Sequence, residues 1–385
     1  MDDRPAQPIP RLAILGSSVT ALAVARNAAD LGMRPVLFDI ERGVATTTAR
    51  AEIHVVEAAD ADAMLPALLQ CGGQSTAWLV ATSDRWLRFV AKHRAALDAA
   101  FGAILNPHND ALAICLQKSA FTRWCISLAL PTPAAFDADA LAAAPSDAPF
   151  PLLIRPLESN LAGRAAVPKA IEVHDGAALS RWLATYRDAG VTPFVTQSLL
   201  GRALTQYSVG AARRDGKSLT FVAIKRRPTA ELCGVGTYVE LVPDARAESL
   251  ARRALEALDY HGIGEVEILR DEQSGVDWLI EINCRPWVQY ALGPRSGHDL
   301  LAFMLDPATF NARAAVVDGR RWLSFADDAY YCFSRSEGLV RHGKLPLIGY
   351  LRSIATANTF AYLSLRDLRA FWPTLRKLVP RTVSR

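Results

Sequence analysis

Residues Glu265-Val-Glu267-Ile-Leu-Arg270, a polar stretch, and Trp278-Leu-Ile-Glu281-Ile-Asn283-Cys-Arg285-Pro decide the fold of this chain. Both runs alternate apolar and polar residues, the period of a strand with one face in a core. Val266, Ile268, Ile280 and Ile282 form the apolar face; Glu265, Glu267, Glu281 and Asn283 form the other. With residues 272–276 as the turn, Glu267 falls opposite Glu281 and Glu265 opposite Asn283. Three carboxylates and an amide oxygen, with no base among them along the hairpin, repel one another. A hard cation removes that repulsion, and Mg²⁺ prefers oxygen ligands. Glu267, Glu281 and Asn283 are therefore the expected metal ligands. Arg285 keeps the alternation and adds a fixed positive charge. A solvated acidic strand face is the competing reading; it would serve for Glu265 alone, and the clean apolar alternation disfavours it for the rest.

Upstream, Arg11-Leu-Ala-Ile-Leu-Gly16 reads as a buried strand. A helix follows to about Leu31-Gly32, then a second strand, Arg34-Pro-Val-Leu-Phe-Asp39. This is a βαβ unit, and residues 77–82 and 101–106 read as two further parallel strands. Gly16 stands without the second and third glycines of a dinucleotide fingerprint, which disfavours a nicotinamide oxidoreductase.

A length of 385 residues fits two or three packed units. Hydrophobic residues at 51% and charged residues at 21% describe a soluble globular chain, and a net charge of +4 gives no global field for nucleic acid. The six cysteines form no C-x-x-C pair, which argues against a zinc site or disulfide framework. No leading apolar run with basic flanks and no apolar stretch of about 18 residues is present, so a cytoplasmic protein is expected. Charge is uneven: residues 335–385 hold ten Lys or Arg against Glu337 and Asp367. Such a tail suits an anionic surface or polymer, or is simply a solvated basic helix.

The E-x-N-x-R run from Glu281 to Arg285, one hairpin beyond Glu267, resembles the metal-binding end of ATP-grasp enzymes. It is most similar to the synthetase domains of the carbamoyl phosphate synthetase large subunit and to carboxylate–amine ligases. The resemblance spans roughly residues 10–305. It implies an α/β (α+β) ATP-grasp fold with a Rossmann-like pre-ATP-grasp βαβ domain over 8–106. An ATP-grasp N-terminal subdomain would follow over 107–190, a C-terminal subdomain with the metal site over 191–306, and a helical, basic, aromatic-containing extension over 307–385. ATP and Mg²⁺ (or Mn²⁺) are the implied cofactors.

The same resemblance assigns further residues. Lys118, ahead of Leu130-Pro-Thr-Pro133, and Arg155, closing the strand from Phe150, match the cations that neutralise phosphates. Residues 158–164 match the loop over the phosphates, here with one glycine. Phe194-Val-Thr-Gln197-Ser-Leu199-Leu-Gly201 is similar to the linker that carries adenine, with Gln197 and Leu199 as its contacts. The segment 202–206 has no acid where a ribose-binding one is expected. Lys225, first of three consecutive cations, faces phosphate or an anionic substrate, or else is surface charge. Cys233 to Glu240 match the acceptor region, and His298 is a further candidate contact. Arg285 is the implied catalytic residue, over the transferring phosphoryl group.

The activity implied by the resemblance is that of a carboxylate–amine ligase: a carboxylate attacks the γ-phosphate, and an amine displaces phosphate from the acyl phosphate. Its partners would be the small-molecule carboxylate and amine, with a homodimer as the common assembly. The C-terminal region resembles that of ATP-grasp proteins found with exopolysaccharide genes, which implies cell-envelope metabolism. The alternative is a nucleotide-binding module of regulatory or scaffold role without turnover.

Overall fold

The computed structural model describes residues 11–73, 77–157, 167–229, 234–311, 319–335 and 338–375. The expected phosphate loop at 158–164, Cys233 and the last ten residues of the basic tail lie outside them.

The N-terminal strands are β1 (Arg11–Leu15), β2 (Arg34–Asp39), β3 (Glu52–Val55), β4 (Trp78–Ala81) and β5 (Ala103–Ile104). They form a parallel sheet in the order β3-β2-β1-β4-β5, with helix Val19–Asp30 as the β1–β2 crossover. A parallel sheet is covered on both faces, so its strands read as unbroken apolar runs. In β1, Leu12 and Ile14 enter one core while Ala13 and Leu15 enter another.

Strands β6 (Ala135–Phe136), β7 (Leu152–Pro156), β8 (Ile171–Val173) and β9 (Pro193–Gln197) make a small antiparallel sheet, β6-β9-β7-β8. It has its own core, in which Leu152, Ile154 and Val195 meet Leu179, Leu183 and Tyr186 of helix Gly176–Asp188. Because β9 pairs with β7, a subdomain division at 190/191 would cut this sheet.

The largest sheet contains β10 (Leu204–Arg214), β11 (Lys217–Pro228), β12 (Gly236–Leu241), β13 (Gly262–Asp271), β14 (Asp277–Asn283), β15 (Arg321–Leu323) and β16 (Thr359–Phe360). Their order is β14-β13-β10-β11-β12-β15-β16. The β10–β11 turn is a two-residue loop, Asp215-Gly216, both at positive φ (52° and 73°), between paired Arg214 and Lys217. The C-terminal extension is therefore more than helices: β15 and β16 complete the sheet, and at three and two residues they are too short to show a period-two pattern.

Two one-residue irregularities aim the side chains that matter. On β14, Glu281 pairs with Glu267 but Leu279 pairs with Ile268, so Ile280 is an extra residue. On β11, Lys225 pairs with Val239 but Arg227 pairs with Tyr238, so Arg226 is extra. Such bulges shift the in–out phase of a strand by one position.

Candidate active site

The expected pairings hold: Glu267 lies opposite Glu281, and Glu265 opposite Asn283. The bulge is what makes them hold, because the hairpin closes one residue earlier than expected, with Asp271 N–H donating to Val276 O at 2.9 Å. It also exchanges two side chains. Leu279 is fully buried in the core, whereas Ile280, expected there, lines a cavity.

That cavity measures about 850 Å³, within the usual range for small-molecule sites. Glu267, Glu281, Asn283, Arg285, Lys118, Arg155 and Lys225 all line it. The expected adenine contacts Gln197 and Leu199 are not among its walls; Phe194, Thr196 and Leu200 are. On β9 alternation sends Val195 into the small-sheet core, so Phe194 and Thr196 take the opposite face. The Gln197 N–H donates to Ala134 O at 2.8 Å, which spends it on the sheet edge. His298 packs against Phe221 and bonds Ser296 at 3.0 Å, away from the cavity walls. Glu240 is held by Arg226 (2.9 Å) and Arg321 (2.8 Å).

The expectation of a face without bases fails for a reason outside the hairpin. Lys225 reaches in from β11, its Nζ 2.7 Å from Glu267 Oε1 and 3.9 Å from Glu265 Oε1. Burial works against its charge, but Glu267 and Glu265 outweigh burial and hold the ammonium above its ordinary value. Burial would likewise raise Glu267, yet Lys225 and a 3.0 Å hydrogen bond from Gln206 Nε2 bring it below the usual carboxylate range. Glu281 is pushed up by burial and then by the charge of Glu267. Glu265, fully enclosed, is pushed up to about 7, chiefly by burial. It accepts from Ser208 Oγ and, at 3.0 Å, from Asn283 Nδ2.

These donors suit a hard cation. Asn283 turns its amide nitrogen to Glu265 and to Glu281 (3.3 Å), which keeps Oδ1 as an acceptor, and one lysine does not neutralise the glutamates around it. Among the described residues no group of three or more His, Cys, Asp or Glu is placed to hold a metal unaided. Mg²⁺ needs none, since it binds through one or two carboxylates together with substrate phosphates.

The cationic wall comes from elsewhere in the chain. Lys118 opens helix Lys118–Ser127 and donates to Leu157 O at 3.3 Å; burial, and next the charge of Arg155, lower it to about 8. Arg155 is the penultimate residue of β7, with its guanidinium over the Phe194 ring and its Nε without a partner. Arg285 Nε is fixed at 2.7 Å by Asp84 Oδ1, the first residue of helix Asp84–Lys92 in the N-terminal unit. Burial opposes the Arg285 charge, and Asp84 more than restores it.

Sequence reading did not single out Asp84, Gln206 or Ser208. For Gln206 and Ser208 a signal existed: they alternate on β10, and each bonds a glutamate of the adjacent β13. Asp84 gave none, because its partner is 201 positions away.

No family model and no curated protein matches this chain. Solved structures do. One is the biotin carboxylase domain dimer of Hydrogenobacter thermophilus 2-oxoglutarate carboxylase, in complex with MgADP, ADP and bicarbonate. It is 12% identical over 82% of this chain and 74% of that one, with a TM-score of 0.63. A second is N5-carboxyaminoimidazole synthetase from Staphylococcus aureus complexed with ADP, 12% identical over 77% and 76% (TM-score 0.61). A third is L-amino acid ligase from Bacillus licheniformis, 15% identical over 82% and 79% (TM-score 0.59). All three are ATP-grasp proteins, and this chain, with its carboxylate ladder at the cavity between the large and small antiparallel sheets, has the ATP-grasp fold.

Proposed function

We propose that the protein is an ATP-dependent carboxylate–amine ligase working through an acyl phosphate. The observation that carries the reading is the ladder Glu267–Glu281 beside Glu265–Asn283 at a cavity that Lys118 and Arg155 also line. Phosphoryl transfer asks a protein for charge neutralisation and alignment more than for covalent chemistry. The neighbours crystallised with ADP or MgADP support nucleotide as the occupant.

In this reading Glu267, Glu281 and Asn283 hold Mg²⁺ or Mn²⁺, which when bound neutralises phosphate oxygens. Lys118 and Arg155 grip phosphate oxygens, the arginine with a fork suited to two of them. Arg285, held by Asp84, stabilises the charge on the transferring γ-phosphoryl oxygens as the carboxylate attacks, and the oxyanion formed on the acyl oxygen as the amine adds and phosphate leaves. Asp84 links the N-terminal unit to that step. Lys225 keeps Glu267 ionised and in place. Phe194, Leu200 and Ile280 supply an apolar wall for the base. The division into a pre-ATP-grasp domain, two ATP-grasp subdomains and an extension belongs to the same proposal. So does a cytoplasmic, dimeric enzyme; a role in cell-envelope chemistry rests on the C-terminal resemblance alone.

The test is ADP release from ATP and Mg²⁺ with pooled amino acids and sugar acids. ADP formation that depends on one pool and disappears in Glu281→Gln supports the ligase. MgATP binding with no pool giving turnover favours the regulatory or scaffold module.

A further inference from the structure

Helix Leu347–Thr356 presents its apolar side chains outward. A helix packed on a protein normally turns them to the core. Here the buried side chains are Tyr350 and Ser353, while Leu347, Ile348 and Leu351 are 53%, 76% and 51% exposed. At positions i, i+1 and i+4 these three share one arc of about 100°. The helix is seated firmly. Tyr350 packs edge-on against Phe333 with ring centroids 5.1 Å apart, and it lies over the Arg227 guanidinium. Arg227 in turn grips Asp328 with two bonds of 2.9 and 2.8 Å.

Cations flank the arc. Arg341 and Lys344 lead into the helix, Arg352 sits on it, and all three are exposed. Across residues 338–375 the sole acid is Asp367. It is buried and held by Arg26 (2.9 Å) and Thr48 (2.6 Å), so it does not offset the surface charge.

We propose that this face docks onto an anionic lipid bilayer. Leu347, Ile348 and Leu351 would enter the headgroup–acyl boundary, with Arg341, Lys344 and Arg352 among the anionic headgroups. Charge selects this occupant. A second copy meeting the same face across a two-fold axis brings like charges together. Residues 376–385 add four cations and no acid, so they are equally mismatched as a cover. A bilayer with anionic headgroups supplies both the apolar layer and the opposite charge. No described helix is long and apolar enough to cross a membrane, so the contact is with the surface. Such docking does not depend on the ligase chemistry.

The experiment is co-sedimentation of the full chain with vesicles of phosphatidylcholine alone, or of phosphatidylcholine with phosphatidylglycerol, in low and high salt. Binding to the phosphatidylglycerol vesicles is expected and should weaken in high salt. Ile348→Glu with Leu351→Glu, and separately Arg341→Glu with Lys344→Glu, should each lower it at least about tenfold while leaving the melting temperature unchanged. Both pairs are exposed, so the fold does not depend on them. No binding to either vesicle at low salt overturns the proposal. So does binding that survives Ile348→Glu with Leu351→Glu, which would mark simple charge attraction. A dimer in light scattering that the same pair dissociates would assign the face to a second copy, and equal binding to soluble polyglutamate would assign it to an acidic polymer.

Discussion

Lys225 and Arg227 stand two residues apart on one strand, each buried against a carboxylate, and they do different work. Lys225 opens onto the cavity and bonds Glu267. Arg227 faces the other way, closed between Tyr238 and Tyr350 and doubly bonded to Asp328, which also accepts from Thr237 Oγ1 at 2.7 Å. The extra residue Arg226 puts them out of phase; without it, alternation would give both the same face. One pair is complete. The other is one ammonium against a cluster of carboxylates, the condition under which a further cation is welcome. An ion pair closed on all sides holds the fold, and an ion pair left short of charge marks a place for a ligand.

The largest expected effect separates the two pairs by stability. Arg227→Ala leaves Asp328 charged and enclosed, which costs about 3–5 kcal/mol for a buried pair broken on one side. Urea unfolding should show that loss, and Mg²⁺ with ATP, which stabilises wild type and variant alike, should leave the difference between them unchanged. Lys225→Met removes a charge from the open pair and should cost less, about 1–3 kcal/mol. Here Mg²⁺ together with ATP should restore most of the loss, because a ligand that binds only the folded state stabilises it. If MgATP leaves Lys225→Met where it was, the open pair is as closed as the other and the comparison breaks.

Asp84→Asn should be milder. It frees Arg285 without touching the ladder, and an expected drop in turnover of about tenfold with unchanged unfolding would place Asp84 as a positioning residue. Unchanged turnover would show that Arg285 needs no support from the N-terminal unit. The smallest effect concerns pH. Lys118 has its pKa lowered by burial to about 8 from an ordinary 10.5. The folded chain then binds fewer protons than the unfolded one between those values, so stability rises with pH across that window. The same deprotonation withdraws a charge from the phosphates. ATP affinity should therefore fall above about pH 8, and it should stay level in Lys118→Arg, where the charge persists. A wild-type affinity that is level through that range would remove Lys118 from the phosphate site.

The carboxylate hairpin was legible because its signal is local: polar residues at period two on both strands, joined by one short turn, carry both the strand pairing and the carboxylate cluster. The βαβ unit was legible for the same reason. The two bulges were not, since an inserted residue looks like any other until its partner strand is known. Ile280 therefore read as core and Lys225–Arg227 as one cationic run. Strand β9 was placed by resemblance, which assigned Gln197 and Leu199; alternation sends Val195 into the small-sheet core, and Thr196 and Leu200 line the cavity. Asp84 and Asp328 were invisible because their partners, Arg285 and Arg227, are 201 and 101 positions distant. The C-terminal region offered composition and a distant resemblance, and its strands are too short to announce themselves.

Under the proposed function Glu281 and its ladder neighbours form a metal-dependent nucleotide site. The decisive measurement is calorimetric titration of ATP into the full chain, with Mg²⁺ and with EDTA, with Glu281→Gln alongside. One saturable site is expected, requiring Mg²⁺ and weakened by at least about a hundredfold in the variant. ATP binding indifferent to Mg²⁺ and to Glu281→Gln, or no binding at all by a folded protein, would contradict it.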